Sequence, residues 1–256
     1  VISRVLDDLR EERENRASQE KPAEIPLVEQ LIESAEKHTI FDTDKVVLSA
    51  IAGIVALIGL FLNNVGIIIG AMLISPFLGP IYAFAVFSAV GASKKVFDTV
   101  KFLSALVFMV VAISFITTLV LSFFIRLSIT PEIELRLAPD PIYVIMAILL
   151  GFATILALYK KIPEGIAGVA VAAALLPPAV VTGIALVLIP GSAVKALTLT
   201  IQFIFGLITG GVIATIVLQV RPRGFMQQWE AKHLMKRVIW TLAILIVLIT
   251  ALSYLV

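Results

Sequence analysis

The sequence predicts an all-α, polytopic transmembrane helix bundle of about seven spans. Three observations carry this: 60% of the 256 residues are hydrophobic, charge is concentrated in the first 45 residues and in short clusters, and the stretches between clusters are membrane-sized. Soluble domains are nearer 45–50% apolar. A bilayer core about 30 Å thick takes about 20 apolar residues as a helix. Lipid offers no partner to an open backbone, so the spans must be helices or a closed barrel. A barrel would show short alternating segments, which this sequence lacks.

Residues 1–45 are charge-rich. Val1, Val5, Leu6 and Leu9 share one side of a helical wheel and predict a short amphipathic helix as far as about Lys21. Pro22 and Pro26 break it. Leu27, Leu31 and Ala35, with Val28 and Ile32, then predict a second amphipathic helix through His38, suited to a membrane surface, a preceding domain or a neighbouring subunit.

From residue 46 no charge appears for 48 residues, too many for one span and right for two. Asn63-Asn64 is the natural turn, giving spans at 46–62 and 65–90. Lys94, Lys95, Asp98 and Lys101 punctuate, and a third span at 102–125 completes a first transmembrane unit, 46–125. An acidic-leaning loop, 126–140, follows. Pro141 suits a first helical turn and opens a fourth span ending at Tyr159. A fifth span, 165–189, is closed by Pro190-Gly191 and Lys195, and a sixth, 196–220, completes a second unit, 141–220. A basic loop, 221–237, leads to a seventh span, 238–256.

Lys and Arg alternate between the connections. One side carries Lys94, Lys95, Lys101, Lys160, Lys161, Arg221, Arg223, Lys232, Lys236 and Arg237; the other carries Arg126, Arg136 and Lys195. The positive-inside rule therefore places the N-terminus inside and the C-terminus outside.

The two units resemble each other. Gly70-Ala71-Met72-Leu73-Ile74-Ser75-Pro76 aligns with Ala172-Ala173-Ala174-Leu175-Leu176-Pro177-Pro178 at an offset of 102 residues, and Gly66 falls on Gly168. Each unit has three spans, and an odd number inverts the second copy, as in several transporter folds. Ser75-Pro76 and Pro177-Pro178 lie near the centres of the second and fifth spans, with Gly79-Pro80 as a further interruption. Proline costs ~3 kcal/mol or more inside a helix, so both central helices are expected to break near the bilayer midplane. Broken helices there expose carbonyls and helix ends to ions or polar solutes. The expected solute-binding residues are Ser75, Pro76, Gly79, Pro177, Pro178 and Thr182. Ordinary kinks filled by neighbouring helices are the alternative. Asn63, Asn64 and Glu164 are candidates for an entrance or gate, although turn geometry and the helix dipole account for the same residue types.

The string from Asn63-Asn64-Val65 through Gly70-Ala71-Met72-Leu73-Ile74-Ser75-Pro76-Phe77-Leu78-Gly79-Pro80 resembles the domain of unknown function 389 family of prokaryotic membrane proteins. Leu175-Leu176-Pro177-Pro178 looks like that family's second hallmark, and the resemblance covers residues 46–220. It implies a multi-pass protein of a prokaryotic cell membrane with no assigned activity. It also implies, for many members, a soluble α/β domain ahead of the first span, for which the absence of a methionine at Val1 leaves room.

Several classes are disfavoured by composition. With no cysteine, thiolate chemistry and Cys-ligated metals are excluded. The histidines, His38 and His233, have no ligand spacing, no phosphate loop is present, and no serine is placed for a triad. No catalytic residue, metal or cofactor is expected, and the chain is not expected to be an enzyme. A net charge of +2 without a dense basic block does not suggest nucleic acid. The spans carry no charge, which argues against a proton-driven antiporter. Gln202, Thr209, Ser114, Thr117, Thr118 and Gln219 are uncharged polar residues expected to bond between helices. Small residues at Ser49, Ala52, Gly53, Ala56 and Gly59, and at Gly206 and Gly210, suggest a homo-oligomer. The function that fits is transport of an ion or small polar solute by a channel or carrier in the lipid bilayer. The alternative is a structural or assembly protein that recruits a partner through its N-terminal region.

Overall fold

The computed structural model describes residues 27–39, 42–222 and 225–255, and every regular element among them is a helix. The amphipathic helix expected before Lys21 lies outside the described residues. The second one forms as α1, Leu27–Thr39, with Leu31 and Ala35 of its apolar stripe buried.

α2, Thr43–Phe61, starts where the Asp42 carboxylate accepts the Asp44 N–H at 3.0 Å, satisfying a donor that a helix start leaves unpaired. It ends in a left-handed turn. Asn63 has a φ of 52°, and the N–H groups of Asn64 and Asn63 donate back to the carbonyls of Gly59 and Leu60. Asn64 then caps α3, Val65–Ile74, by accepting the Ile67 N–H at 3.2 Å. α3 stops at Ser75, and α4, Leu78–Val90, resumes after Pro76 and Phe77 with a bend of 51°. The turn at Gly91 leads into α5, Ser93–Phe124.

The connection after α5 folds over the end of α2. It contains a short helix α6, Pro131–Glu134, and one 3-10 turn, Leu135–Leu137. The Thr130 hydroxyl donates to the Leu60 carbonyl at 2.7 Å, and Asn63 Oδ1 accepts the Glu132 N–H at 3.3 Å. α7, Ile142–Tyr159, α8, Glu164–Leu188, α9, Pro190–Val217, and α10, Phe225–Leu255, complete the bundle. Six helices are long and apolar enough to cross a bilayer, and α3 with α4 makes a seventh crossing if the bent pair is one span.

The centre of the bundle is α4, buried at every residue from Leu78 to Ala89, and the second half of α8, buried from Ala174 to Ala185. α5 and α10 lie at the perimeter with apolar side chains such as Phe108, Phe123, Ile244 and Val247 exposed, as lipid contact requires. Short reversals gather Lys45, Lys94, Lys95, Lys160, Lys161, Arg221, Lys232 and Lys236 at one end of the bundle, called the basic end below.

Four expectations need correction. Pro177 and Pro178 do not break the fifth span; α8 runs through both. The two N–H groups they lack would have met the carbonyls of Ala173 and Ala174, and tight packing on all sides of this stretch holds the helix without them. Gly79-Pro80 does not interrupt a helix either. It sits in the first turn of α4, where the missing N–H would have no partner in any case. The sixth span starts at Pro190 rather than at Ala196, because proline suits a first helical turn, so Ile189 alone separates α8 from α9. The charged clusters near Lys94 and Lys232 are helical extensions of α5 and α10, because a helix pairs its own backbone while its Lys side chains reach water.

The small-residue faces are used within the chain. A Cβ built on Gly210 would lie 1.9 Å from the Ile148 carbonyl oxygen, and one on Gly151 would lie 2.1 Å from that of Leu207, so α7 and α9 touch backbone to backbone. A Cβ on Gly53 would meet Ile113 at 3.1 Å, joining α2 to α5. These faces therefore supply no reason for a homo-oligomer.

Candidate functional site

The broken span positions the first group of expected residues. Ser75 terminates α3 with an extended backbone, ψ 128°, because Pro76 disfavours helix in the residue before it. Its side chain is buried at 8% exposure and its hydroxyl has no hydrogen-bond partner. Phe77, fully buried, anchors the restart of the helix, and Leu78 packs beside Gly168 of α8. Gly168 lies ten residues before Pro178, about 15 Å along a helix. The start of α4 and the double proline thus occupy different levels of α8. Thr182 belongs to the second level. Its hydroxyl donates to the Pro178 carbonyl at 2.9 Å and lies 3.3 Å from the Thr200 hydroxyl, which donates to the Ala196 carbonyl at 2.9 Å.

The gate candidates lie at opposite ends. Asn63 holds the left-handed turn and the loop above it, and Asn64 caps α3, so both have backbone tasks. Glu164, in the first turn of α8 at the basic end, accepts a hydrogen bond from the Ser34 hydroxyl at 3.4 Å. That contact belongs to a group that sequence reasoning missed. The Tyr82 hydroxyl of α4 donates to the Leu31 carbonyl at 2.9 Å, and Lys95 of α5 pairs with Glu36. α1 is thereby fastened to α4, α5 and α8 across the basic end. The one visible signal was a tyrosine inside an otherwise apolar span.

A second missed feature is a set of buried polar groups without partners. The hydroxyls of Ser49, Ser75, Ser88, Ser114, Thr118 and Thr209 make no hydrogen bond, nor do either of the two side-chain polar atoms of Gln202. All lie in the apolar spans or at the break. A Ser or Thr can turn to a carbonyl of its own helix, as Thr154 does to Leu150 at 2.7 Å. Gln202 makes no such bond: it is 1% exposed near the midpoint of α9, with two donors and an acceptor unused. Interhelical bonding, expected for Gln202, Thr209, Ser114 and Thr118, is not made.

A model of the family described as "Domain of unknown function (DUF389)" matches residues 72–209, more than half of the chain, from the end of α3 into α9. The chain belongs to the DUF389 family. It is also 24% identical over 244 residues to an uncharacterized protein of Methanocaldococcus jannaschii, a match covering 95% of this chain and 74% of that protein. No solved structure matches.

The matched region contains the break, the double proline and Gln202, and its turn at Lys161 has the geometry of the Asn63–Asn64 turn that precedes the region. The N–H groups of Lys161 and Ile162 donate to Leu158 and Ala157 as those of Asn63 and Asn64 donate to Leu60 and Gly59, and Lys161 has a φ of 60°. Asn63 and Lys161 are 98 residues apart, as are Gly53, where α2 meets α5, and Gly151, where α7 meets α9. In this register Pro178 falls on Pro80 rather than Pro76. Pro80 and Pro178 are both helical, and the break at Ser75–Phe77 aligns at this offset with the helical residues Ala173–Leu175.

Proposed function

We propose that this DUF389 protein is a transport protein, a channel or carrier for an ion or small polar solute, with its site near the bilayer midplane. The observation that carries the proposal is Gln202. Burying an amide without partners costs several kcal/mol in an apolar medium, about 4–8 kcal/mol on a hydrocarbon scale. Such a group near the middle of a span is accounted for by water or solute that meets it there. The unpartnered hydroxyls of Ser75, Ser114, Thr118 and Thr209 extend the polar surface available to that solute. Neutral ligands without charges fit passage or exchange better than proton coupling. No catalytic step enters this proposal.

The common turn geometry, the glycine pairs and the helix starts 97–99 residues apart support two inverted three-helix units as the architecture behind it. The gathering of Lys and Arg at one end supports a cytoplasmic basic end, and so an N-terminus inside, in the cell membrane. Because the chain has no cysteine, single cysteines at Ser93 and Ser128 test this directly. Labelling of Ser93→Cys by an impermeant reagent from outside the cell would reverse the orientation. Self-association remains part of the proposal on exposed perimeter faces, and a purely monomeric mass in mild detergent would remove it. The alternative, a protein that recruits a partner through its N-terminal region, has less support, since α1 already uses Leu31 and Ala35 against α4.

The deciding experiment is flux through purified protein in liposomes, screened over ions and small polar solutes. Flux above protein-free liposomes for at least one solute is expected. Silence across the screen with folded, inserted protein would refute transport.

A further inference from the structure

We infer that the basic end holds a binding site for an anionic phospholipid between the end of α9 and the first turns of α10. A cavity of about 840 Å³ lies there, bounded also by Ala89 of α4 and lined by Arg221, Trp229, Lys232, Lys236 and Trp240. Its volume is in the range of pockets that hold a ligand. Trp229, Lys232, Lys236 and Trp240 recur at helical spacing and form one stripe of α10, so a single helix face presents two ammonium groups between two indoles.

The charges in the cavity are available. No carboxylate among the described residues pairs with Arg221, Lys232 or Lys236. Glu230, the one acidic residue of the 221–237 segment, leaves that segment strongly positive. The apolar part of the lining, Ile216, Met235 and Ile239 among others, continues towards the lipid-facing stretch of α10. A free phosphate would gain nothing from that apolar surface, whereas a phospholipid uses both parts. Its phosphate meets the cations and its acyl chains meet the isoleucines, with tryptophan at the boundary where its ring is half wetted.

The walls are held in place. The Gln228 side-chain amide donates to the Pro222 carbonyl at 3.1 Å, and the His233 ring packs edge-on against Trp229 at 4.3 Å between centroids. On the inner side Ala231 is pressed against the turn before α5, where Gly91 has a φ of 83° and a Cβ would lie 2.8 Å from the Ala231 N. The cavity is therefore a feature of packed helices, independent of whether the protein transports anything.

The test is retention of lipid by the full chain. Purified protein is mixed with equal phosphatidylglycerol and phosphatidylcholine, and bound lipid is counted by native mass spectrometry. Wild type is expected to retain phosphatidylglycerol at least tenfold over phosphatidylcholine, and the triple variant Arg221→Gln, Lys232→Gln, Lys236→Gln to lose that preference. A control with the same charge change at the same end but outside the cavity, Lys94→Gln, Lys101→Gln, Lys160→Gln, is expected to keep it. Equal loss in the control would show diffuse charge attraction and overturn the site, as would an unchanged preference in the first triple variant. Displacement of the lipid by millimolar inorganic phosphate would make the ligand a free anion and overturn the phospholipid. If the first triple variant does not fold, a photoactivatable phosphatidylglycerol on wild type decides: crosslinks within 215–240 are expected, and crosslinks confined elsewhere overturn the proposal.

Discussion

Replacing Gln202 by leucine separates a solute-facing amide from a structural one by the sign of its effect on stability. The side chain is 1% exposed and both of its polar atoms lack partners. If the amide bonded a neighbouring helix, its loss would destabilise the fold by about 0.5–1.5 kcal/mol. Unpartnered, it carries a desolvation penalty of about 1–3 kcal/mol for each unsatisfied group, and leucine of similar size removes that penalty. The expected result is a melting temperature in detergent equal to or above wild type, together with a flux reduced at least tenfold in liposomes. Gln202→Asn, which keeps the amide and shortens its reach, should fall between the two. A Gln202→Leu protein that melts higher and transports as well as wild type would refute the transport role while confirming that the amide is unpaired. A fall in melting temperature that tracks the flux loss would refute the argument at its base, since the amide would then have a partner.

Three further outcomes are expected. Gly210→Ala should abolish the monodisperse folded peak, because its methyl would sit 1.9 Å from the Ile148 carbonyl oxygen and only backbone movement could relieve it; normal yield with an altered oligomer mass would instead place this glycine between chains. Lys161→Gly should raise stability by about 1 kcal/mol, since a non-glycine residue at a positive φ costs about 1–2 kcal/mol, and an unchanged or lower melting temperature would contradict the turn. Tyr82→Phe removes the hydrogen bond to Leu31, worth about 1 kcal/mol, and should speed amide exchange in residues 29–37 without slowing expression; exchange equal to wild type would mean that α1 is held by other contacts.

Charge spacing made most of the fold legible. The uncharged run after Lys45, the Asn63-Asn64 turn and Pro141 located helix ends to within a few residues, because a helix in lipid must be apolar for its whole crossing and its ends need turn chemistry. Ser75-Pro76 was visible as a break for the same reason. Pro177-Pro178 was not visible as a continuous helix, since the penalty of a proline is local while the packing that offsets it comes from the other helices that bury this stretch. The site was the least legible part. Thr182 could be named but its partner Thr200 could not, being an ordinary threonine eighteen residues away. Gln202 was expected to bond a neighbour, and only atomic positions reveal that it has none.

By itself the sequence determined that this protein is a multi-pass helical membrane protein of the DUF389 family, with most of its lysines and arginines in the connections of one side. Those properties follow from hydrophobic length, from loop charge and from a short string of residues, none of which needs a neighbour in space. The tertiary structure decided which small residues join helices within the chain, which proline opens a helix and which is carried through one, and which polar side chains lack partners. Each of these depends on what lies across a gap of a few ångströms. A glycine that lets two backbones touch and one that faces lipid read the same in the chain, and they differ only in the presence of the Ile148 carbonyl on the other side.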